Sequence, residues 1–359
     1  MNKPLGENVC ILVDSLSHGG AERMAANLSK VLANQNHKVL VVCFRDGVSY
    51  EFSGILINLG LDEFKLKQLK QIQKIFRLKR TLEKYKPEVI IDFRTRNRWF
   101  MEYVLYQFIL KRFKVIYTIH SYKLDYHIPK GNFFKTVYNN SQIVCVSKAI
   151  KHHIEHTYSF QNINYIPNAI DLVAITKKSI LEDFEEDFII AVGRLNNEIK
   201  QFDKLIESYA QSNLISKKIK LYILGEGKDR EALSKLIKYL NLEAYVKLFG
   251  FKENPYVYIR NAKFLVLCSK HEGLPMVILE SLALKTPVIA FNCVSGPSEM
   301  IVHKENGLLV EDQDFNELCK AIDYLIDNKF VIKEMEENTL KYFEPYLLKN
   351  QYLYWKPLL

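Results

Sequence analysis

The chain has little of what marks fibrous, linker-rich or disulfide-built proteins. Fourteen glycines and ten prolines in 359 residues are too few for a collagen-like or low-complexity architecture. No run of eighteen apolar residues occurs, so no segment has the length of a membrane-spanning helix. The opening MNKPLGENVC holds no apolar leader core ahead of its first strand-like run, so no secretory segment is expected. Cysteine is sparse as well. Cys10, Cys43, Cys145, Cys268, Cys293 and Cys319 include no C-x-x-C pair, and five lie in or beside apolar runs. They are expected to be buried, reduced thiols of a cytoplasmic protein rather than metal ligands or disulfides.

What is present is ordinary globular material, 48% hydrophobic and 25% charged, which excludes a disordered chain. The length predicts two domains. The formal charge is +9, and it is unevenly spread. Residues 1–172 carry 25 Lys and Arg against 14 Asp and Glu, while residues 173–359 carry 25 against 27. A basic half joined to a near-neutral half implies two domains with different partners.

Short Val- and Ile-rich runs alternate with amphipathic stretches. Strands are expected at 9–13, 38–44, 89–92, 114–119 and 142–146, and again at 188–192, 220–224, 246–249, 264–268 and 288–291. Runs of this kind separated by helices predict parallel sheets built from βαβ units. The acidic run from Glu182 to Asp187 precedes a fresh strand, which places the domain boundary near 171–186. The expected domains are 1–172 and 173–345, followed by a terminal segment 346–359. The fold class is α/β, two doubly wound domains facing a cleft. In such sheets ligands bind beyond the carboxyl ends of the strands.

The residues following the strands carry the chemistry. Gly19 and Gly20 after the first strand open a helix and permit close approach of a ligand, although a tight turn alone would use them equally well. GEGKDRE after residue 224 has Arg230 where a dinucleotide fingerprint needs its third glycine, which argues against a nicotinamide enzyme. Arg194 follows the strand at 188–192 and Lys200 is expected to begin the next helix. As a guanidinium and an ammonium they suit a diphosphate, or are simply surface charges. The stretch SKHEGLPMVILESLALKTPVIAF is the most informative. Pro275 suits a first helical turn, where its missing N–H costs nothing, and the N–H groups of the stretch Gly273 to Val277 are expected to face the cleft as an anion or oxyanion site beside Leu274 and Met276. Glu272 precedes that helix and Glu280 lies within it. Either alone reads as a capping or helix-face acid; together they suit a ligand with hydroxyl-bearing parts on both sides of a phosphate group, the layout of a nucleotide sugar.

GGAER, GRL with Lys200, EGLPMVILE and ALKTPVIAF together resemble glycosyltransferase family 4, the retaining enzymes with the GT-B fold. The likeness extends from about Val9 to Leu325, and SGPSEMI, ENGLLV and IPNAID fall within it. The resemblance implies that Glu280 accepts hydrogen bonds from the nucleotide ribose. It implies that Arg194 and Lys200 neutralise the donor diphosphate, and that Glu272 with the following backbone holds the transferred sugar. It further implies that Gly20 allows close approach of the diphosphate, that His120 lies near donor sugar and acceptor, and that the segment 346–359 returns to the first domain with Tyr352 and Trp355 as candidate anchors. It also implies retention of anomeric configuration, with the leaving diphosphate helping to deprotonate the acceptor hydroxyl, and no cofactor or bound metal. Asp312-Gln-Asp314 formally matches D-x-D, but Asp314 and Glu317 read as a helix cap and its box partner. The expected donor is a UDP-hexose or UDP-N-acetylhexosamine. The acceptor is a saccharide or lipid-linked glycan of cell-surface polysaccharide or lipopolysaccharide synthesis in a bacterium.

Residues 65–86 contain nine Lys or Arg and one acid, with Leu66, Leu69, Ile72, Ile75, Leu78 and Leu82 at helical spacing. Arg94, Arg96, Arg98, Lys111, Arg112 and Lys114 add to the basic character, and 99–110 is expected to be a buried helix. Such a basic face suits an anionic membrane surface, predicting a cytoplasmic protein peripheral to the inner face of the membrane. The competing readings are an epimerase or phosphorylase on the same fold and a nucleic-acid-binding protein. The last rests on charge alone and has no recognisable binding module, so no nucleic-acid partner is expected.

Overall fold

The computed structural model describes residues 6–17, 19–61, 67–180 and 184–359. They form two compact units, Met1–Ala169 with Leu348–Leu359 and Ile170–Leu347. The first holds a parallel sheet of β1 (Asn8–Val13), β2 (Lys38–Cys43), β3 (Ile55–Asn58), β4 (Val89–Asp92), β5 (Lys114–Ile119), β6 (Gln142–Cys145) and β7 (Ile163–Tyr165), in the order β3-β2-β1-β4-β5-β6-β7. The second holds β8 (Phe188–Val192), β9 (Lys220–Leu224), β10 (Val246–Gly250), β11 (Leu265–Leu267), β12 (Val288–Phe291) and β13 (Gly307–Val310), ordered β10-β9-β8-β11-β12-β13. Both are α/β and Rossmann-like. The central strands are continuous apolar runs because helices cover both faces, as parallel sheets require. In each sheet the winding reverses beside the first strand, between β1 and β4 and between β8 and β11. Ligand crevices form at such reversals.

Three strands are absent from the sequence reading: β3, β7 and β13. Each is three or four residues long and lies at a sheet edge; in β3 and β7 half-exposed positions and polar residues such as Asn58 and Asn164 blur the apolar run, and β13 is a run of only four residues that begins with glycine. The chain passes between units at Ala169/Ile170, ahead of the acidic run. Helix Leu172–Lys178 packs beside helices Tyr256–Asn261 and Met276–Ala283, so it belongs to the second unit. The returning segment is anchored on the first unit. Gln351 Nε2 donates to the Pro167 carbonyl at 3.2 Å, Tyr352 hydroxyl meets His37 Nε2 at 3.1 Å, and the buried Trp355 ring lies 6.3 Å from that of Phe93.

Two expectations for the basic half need correction. Helix Trp99–Phe108 is not buried: Glu102 and Leu105 face inward, while Trp99, Phe100 and Phe108 are exposed. Nor do Arg94 and Arg96 contribute to a basic surface. Both are buried in a network with Asp92 and Glu102. The Arg94 guanidinium forks onto both oxygens of Asp92 at 3.0 and 2.8 Å and both of Glu102 at 3.3 and 3.0 Å. Burial alone would raise the Asp92 carboxyl, but Arg94 and Arg96 hold it below its ordinary value. Burial pushes Glu102 up against the pull of Arg94.

The basic helix runs over Lys67–Tyr85; Lys65 and Leu66, like Glu182 of the acidic run, lie outside the described residues. Leu78 and Leu82 are buried, whereas Ile72 and Phe76 are exposed. Among the stripe residues whose side chains are described, burial thus increases from Ile72 through half-buried Ile75 to Leu78 and Leu82; the side chain of Leu69 lies outside the described residues.

Candidate active site

The second unit gathers most of the candidate residues around the reversal between β8 and β11. Gly193 and Arg194 follow β8, and Asn196 caps the short helix Asn197–Lys200 by accepting from the Glu198 N–H at 3.2 Å. Lys200 thus ends a helix instead of beginning one. Gln201 follows at φ 53°, and the next helix is Phe202–Gln211. Two ties strap this loop to the residues after β11: Gln201 Nε2 donates to the Cys268 carbonyl at 3.0 Å, and the Lys270 N–H donates to the Ile199 carbonyl at 2.8 Å. The result is an ion pair between Lys200 Nζ and Glu272 Oε1 at 2.5 Å, the side chains 18% and 13% exposed.

Glycines set this geometry. A Cβ on Gly193 would lie 3.3 Å from Lys200 Cε, so the lysine stem passes over it. A Cβ on Gly225 would fall 1.8 Å from the Gly193 carbonyl oxygen, and one on Gly227 would fall 2.3 Å from that of Leu195. The GEGKDRE glycines therefore serve close packing of the β9 loop against the Arg194 loop. Arg194 itself is exposed, and among the described residues it forms no ion pair.

Helix Met276–Ala283 starts beside Glu272. Pro275 precedes it at φ −67°, ψ 112°, and no side chain caps it, so its first N–H groups and positive dipole end are available to an anion. The Glu272 N–H donates to the Val294 carbonyl at 3.1 Å and Ser295 Oγ donates to the Gly273 carbonyl at 2.8 Å, which fixes the entry to the helix. Glu280 is the only ionisable residue in MVILESLA and is 5% exposed. A carboxylate buried in such a helix is costly unless it is hydrogen-bonded. Cations, an open helix end and two carboxylates give a surface able to hold a phosphate group flanked by hydroxyls.

In the first unit, Gly19 precedes helix Gly20–Asn34 in extended backbone. A Cβ there would meet Glu22 Oε2 at 1.9 Å. His120 directly follows β5. Its Nε2 lies 3.0 Å from Thr118 Oγ1, and its main-chain N–H donates to His127 Nε2 at 3.3 Å. His120 lines a small cavity with Phe93, Thr118, Asn168, Gln351 and Trp355. The candidate residues are thus divided: Gly19, Gly20 and His120 in one unit, the others in the second.

The family model of glycosyl transferases group 1 matches residues 174–342, and that of glycosyltransferase family 4 matches residues 18–173. An N-acetylgalactosamine-N,N'-diacetylbacillosaminyl-diphospho-undecaprenol 4-alpha-N-acetylgalactosaminyltransferase of Campylobacter jejuni is 31% identical over 89% of this chain and 90% of its own length. The chain belongs to glycosyltransferase family 4. This glycosyltransferase is also 31% identical to an uncharacterised glycosyltransferase of Haemophilus influenzae, over 61% of each chain. Among solved structures, a Staphylococcus aureus TarM variant in complex with fondaparinux, alpha-GlcNAc-glycerol and UDP superposes with TM-score 0.81 at 16% identity, covering 98% of this chain and 99% of that one. Anabaena Alr3699/HepE in complex with UDP-glucose gives 0.75 at 18%, covering 96% and 97%. These two likenesses show the fold, which is GT-B.

The sequence reading missed Ser295 and the role of Gly225 and Gly227 in shaping the glycosyltransferase's second unit; only their positions after β12 and β9 would have pointed to them. It also missed the residues around His120. Asp314 does cap helix Phe315–Asp327, accepting from the Glu317 N–H at 2.8 Å, but Glu317 pairs with Lys320 rather than closing the box. Among the described residues no group of three or more His, Cys, Asp or Glu is arranged to hold a metal ion.

Burial, with help from the Arg96 charge, pushes the His120 imidazole down to about 3 and His127 well below its ordinary value. An unfolded histidine titrates near 6.5, so below that pH the unfolded chain binds protons that the folded chain refuses, and stability falls as pH drops. Asp92 enters only below about pH 3.9, outside this window. The urea midpoint should therefore fall less between about pH 7 and pH 5 in His120→Asn than in the parent. Equal falls would contradict the assignment.

Proposed function

We propose that this glycosyltransferase moves a hexose or N-acetylhexosamine, with retention of anomeric configuration, from a UDP-sugar to a saccharide or lipid-linked glycan of bacterial cell-surface synthesis. The Lys200–Glu272 pair at the mouth of helix Met276–Ala283 carries this reading. The Campylobacter relative is named for a diphospho-undecaprenol substrate, and the TarM and HepE structures hold UDP or UDP-glucose.

In this account the donor diphosphate takes Lys200 from Glu272 and meets Arg194 and the open helix end. Glu280 accepts from the ribose hydroxyls. Glu272, released from Lys200, turns to the hydroxyls of the sugar, alongside the backbone of Gly273, Leu274, Pro275 and Met276. His120, Gly19 and Gly20 keep the roles that the family resemblance implies for them. As the bond from the anomeric carbon to the phosphate oxygen breaks, the acceptor oxygen bonds to that carbon, and the acceptor proton passes to the leaving diphosphate. No enzymic base, metal or cofactor enters. Lys200 and Arg194 stabilise the departing charge, the preorganised electrostatics that lower such barriers.

The acceptor side is assigned to the first unit, at the cytoplasmic face of the membrane. Exposed Ile72 and Phe76 share helix Lys67–Tyr85 with Lys79 and Arg80, and exposed Trp99 and Phe100 follow Arg98; apolar and cationic side chains of this kind suit an anionic lipid surface, where each cation contributes about 1 kcal/mol. Among the described residues no helix is long and apolar enough to cross a membrane. Co-sedimentation should favour anionic over neutral vesicles, and equal partition would remove the membrane from the account. The reaction is tested with a panel of UDP- and GDP-sugars and a polyprenyl-diphosphate-linked acceptor. A UDP-sugar giving an axial product linkage by NMR is expected. Transfer only from GDP-sugars, or an equatorial linkage from an axial donor, would overturn it.

A further inference from the structure

Around His120 the hydrogen bonds leave each group one role. Arg96 is 1% exposed and is hydrogen-bonded through all three of its nitrogens. Its Nε reaches the His127 carbonyl at 2.9 Å and the Tyr138 hydroxyl at 2.8 Å. Nη1 reaches the carbonyls of Asp92 and Arg94 at 2.9 and 2.8 Å, and Nη2 reaches the Thr118 carbonyl at 2.7 Å. Arg96 thus grips the end of β4, the end of β5 and the loop that carries His127. Thr118 has one hydroxyl proton, and Oγ1 donates it to the Asp92 carbonyl at 3.0 Å. Towards His120 Nε2, also 3.0 Å away, Oγ1 is left to accept, so the His120 proton sits on Nε2. The His120 main-chain N–H donates to His127 Nε2, which makes that nitrogen an acceptor in turn. His120 Nδ1 is buried and without a partner among the described residues, and so is Oε1 of Gln351, another residue lining the same cavity.

We propose that Arg96 and Thr118 are positioning residues that lock His120 in its Nε2–H tautomer, leaving Nδ1 as a hydrogen-bond acceptor. The charged groups facing the ring are the Arg96 cation and, beyond it, Asp92, while His127 is the neighbouring titratable ring; a fixed cation nearby disfavours a second proton on His120. The ring then serves a hydroxyl as acceptor and does not act as a proton donor at neutral pH. Its catalytic consequence rests on the function proposed above, whereas the tautomer does not.

The test is a long-range ¹⁵N–¹H correlation spectrum of the full chain labelled at histidine, with His120 assigned from a His120→Asn sample. Nε2 should appear protonated and Nδ1 bare, unchanged between about pH 5 and 8. Thr118→Val, which removes the accepting oxygen, should give mixed tautomers and reduce kcat about tenfold with donor KM little changed. Thr118→Ser, which restores the hydroxyl, should recover both. A protonated Nδ1 in the parent, or a Thr118→Val spectrum identical to it, would overturn the proposal. A confirmed tautomer without the kcat effect would instead remove His120 from the reaction.

Discussion

Lys200→Ala is expected to weaken binding of a UDP-sugar about 10- to 100-fold, the loss of one or more charge-assisted hydrogen bonds worth about 1.5–3 kcal/mol. Glu272→Gln should behave in the opposite sense. Lys200 is paired with Glu272 at 2.5 Å, and in the proposed reaction the donor diphosphate competes with that carboxylate for the same ammonium. Removing the carboxylate charge leaves Lys200 to the diphosphate, so the affinity for UDP should hold or rise. Turnover should nevertheless fall about 100-fold, because the hydroxyl-binding carboxylate is lost where the transition state needs it. Two variants of one ion pair thus separate binding from catalysis, and parallel losses of affinity in both would contradict the exchange of partners. Titration calorimetry with UDP and steady-state kinetics read the two effects.

The largest effect on stability is expected at Arg94→Leu. Arg94 bridges two buried carboxylates, and its own side chain is 4% exposed. Deleting it strands Glu102 in the interior and leaves Asp92 with Arg96 alone, a loss of about 3–5 kcal/mol for breaking one side of a buried ion pair. By contrast, Lys235→Leu at the exposed pair with Glu231 should cost less than about 1 kcal/mol. Urea unfolding at neutral pH measures both. Comparable small losses would mean that the network contributes little beyond apolar packing.

The value of that network is geometric as well. It holds the chain that leaves β4 at the sheet reversal, next to the residues around His120. This part of the molecule was the least legible in the sequence. FRTRNR reads as cationic surface, because composition cannot show that Asp92 ends a buried strand and that Glu102 turns inward from the following helix to meet Arg94. Helix Trp99–Phe108 misleads for the same reason, since Trp99, Phe100 and Phe108 face outward while an acid, Glu102, is buried with Leu105.

The second unit was far more legible. Long central strands such as β8, β9 and β12 are unbroken apolar runs, and the residues after them are brought together by parallel topology alone. Lys200 and Glu272 are 72 positions apart yet pair because β8 and β11 are neighbours. What sequence could not supply was the packing that sets their separation. Gly225 and Gly227 look like half of a nucleotide fingerprint until their missing side chains are seen to admit the carbonyls of Gly193 and Leu195. Ser295, which fastens the Gly273 carbonyl, comes from a loop with no motif of its own.

Glu280 tests the account most directly, since it is a buried carboxylate in an otherwise apolar helix and is assigned to the ribose. Calorimetric titration of UDP into Glu280→Gln and the parent is the measurement. A Kd raised about 10-fold or more with an unchanged fold is predicted, matching the loss of a charged hydrogen-bond acceptor. An unchanged Kd for UDP would contradict the placement of the nucleotide on this helix.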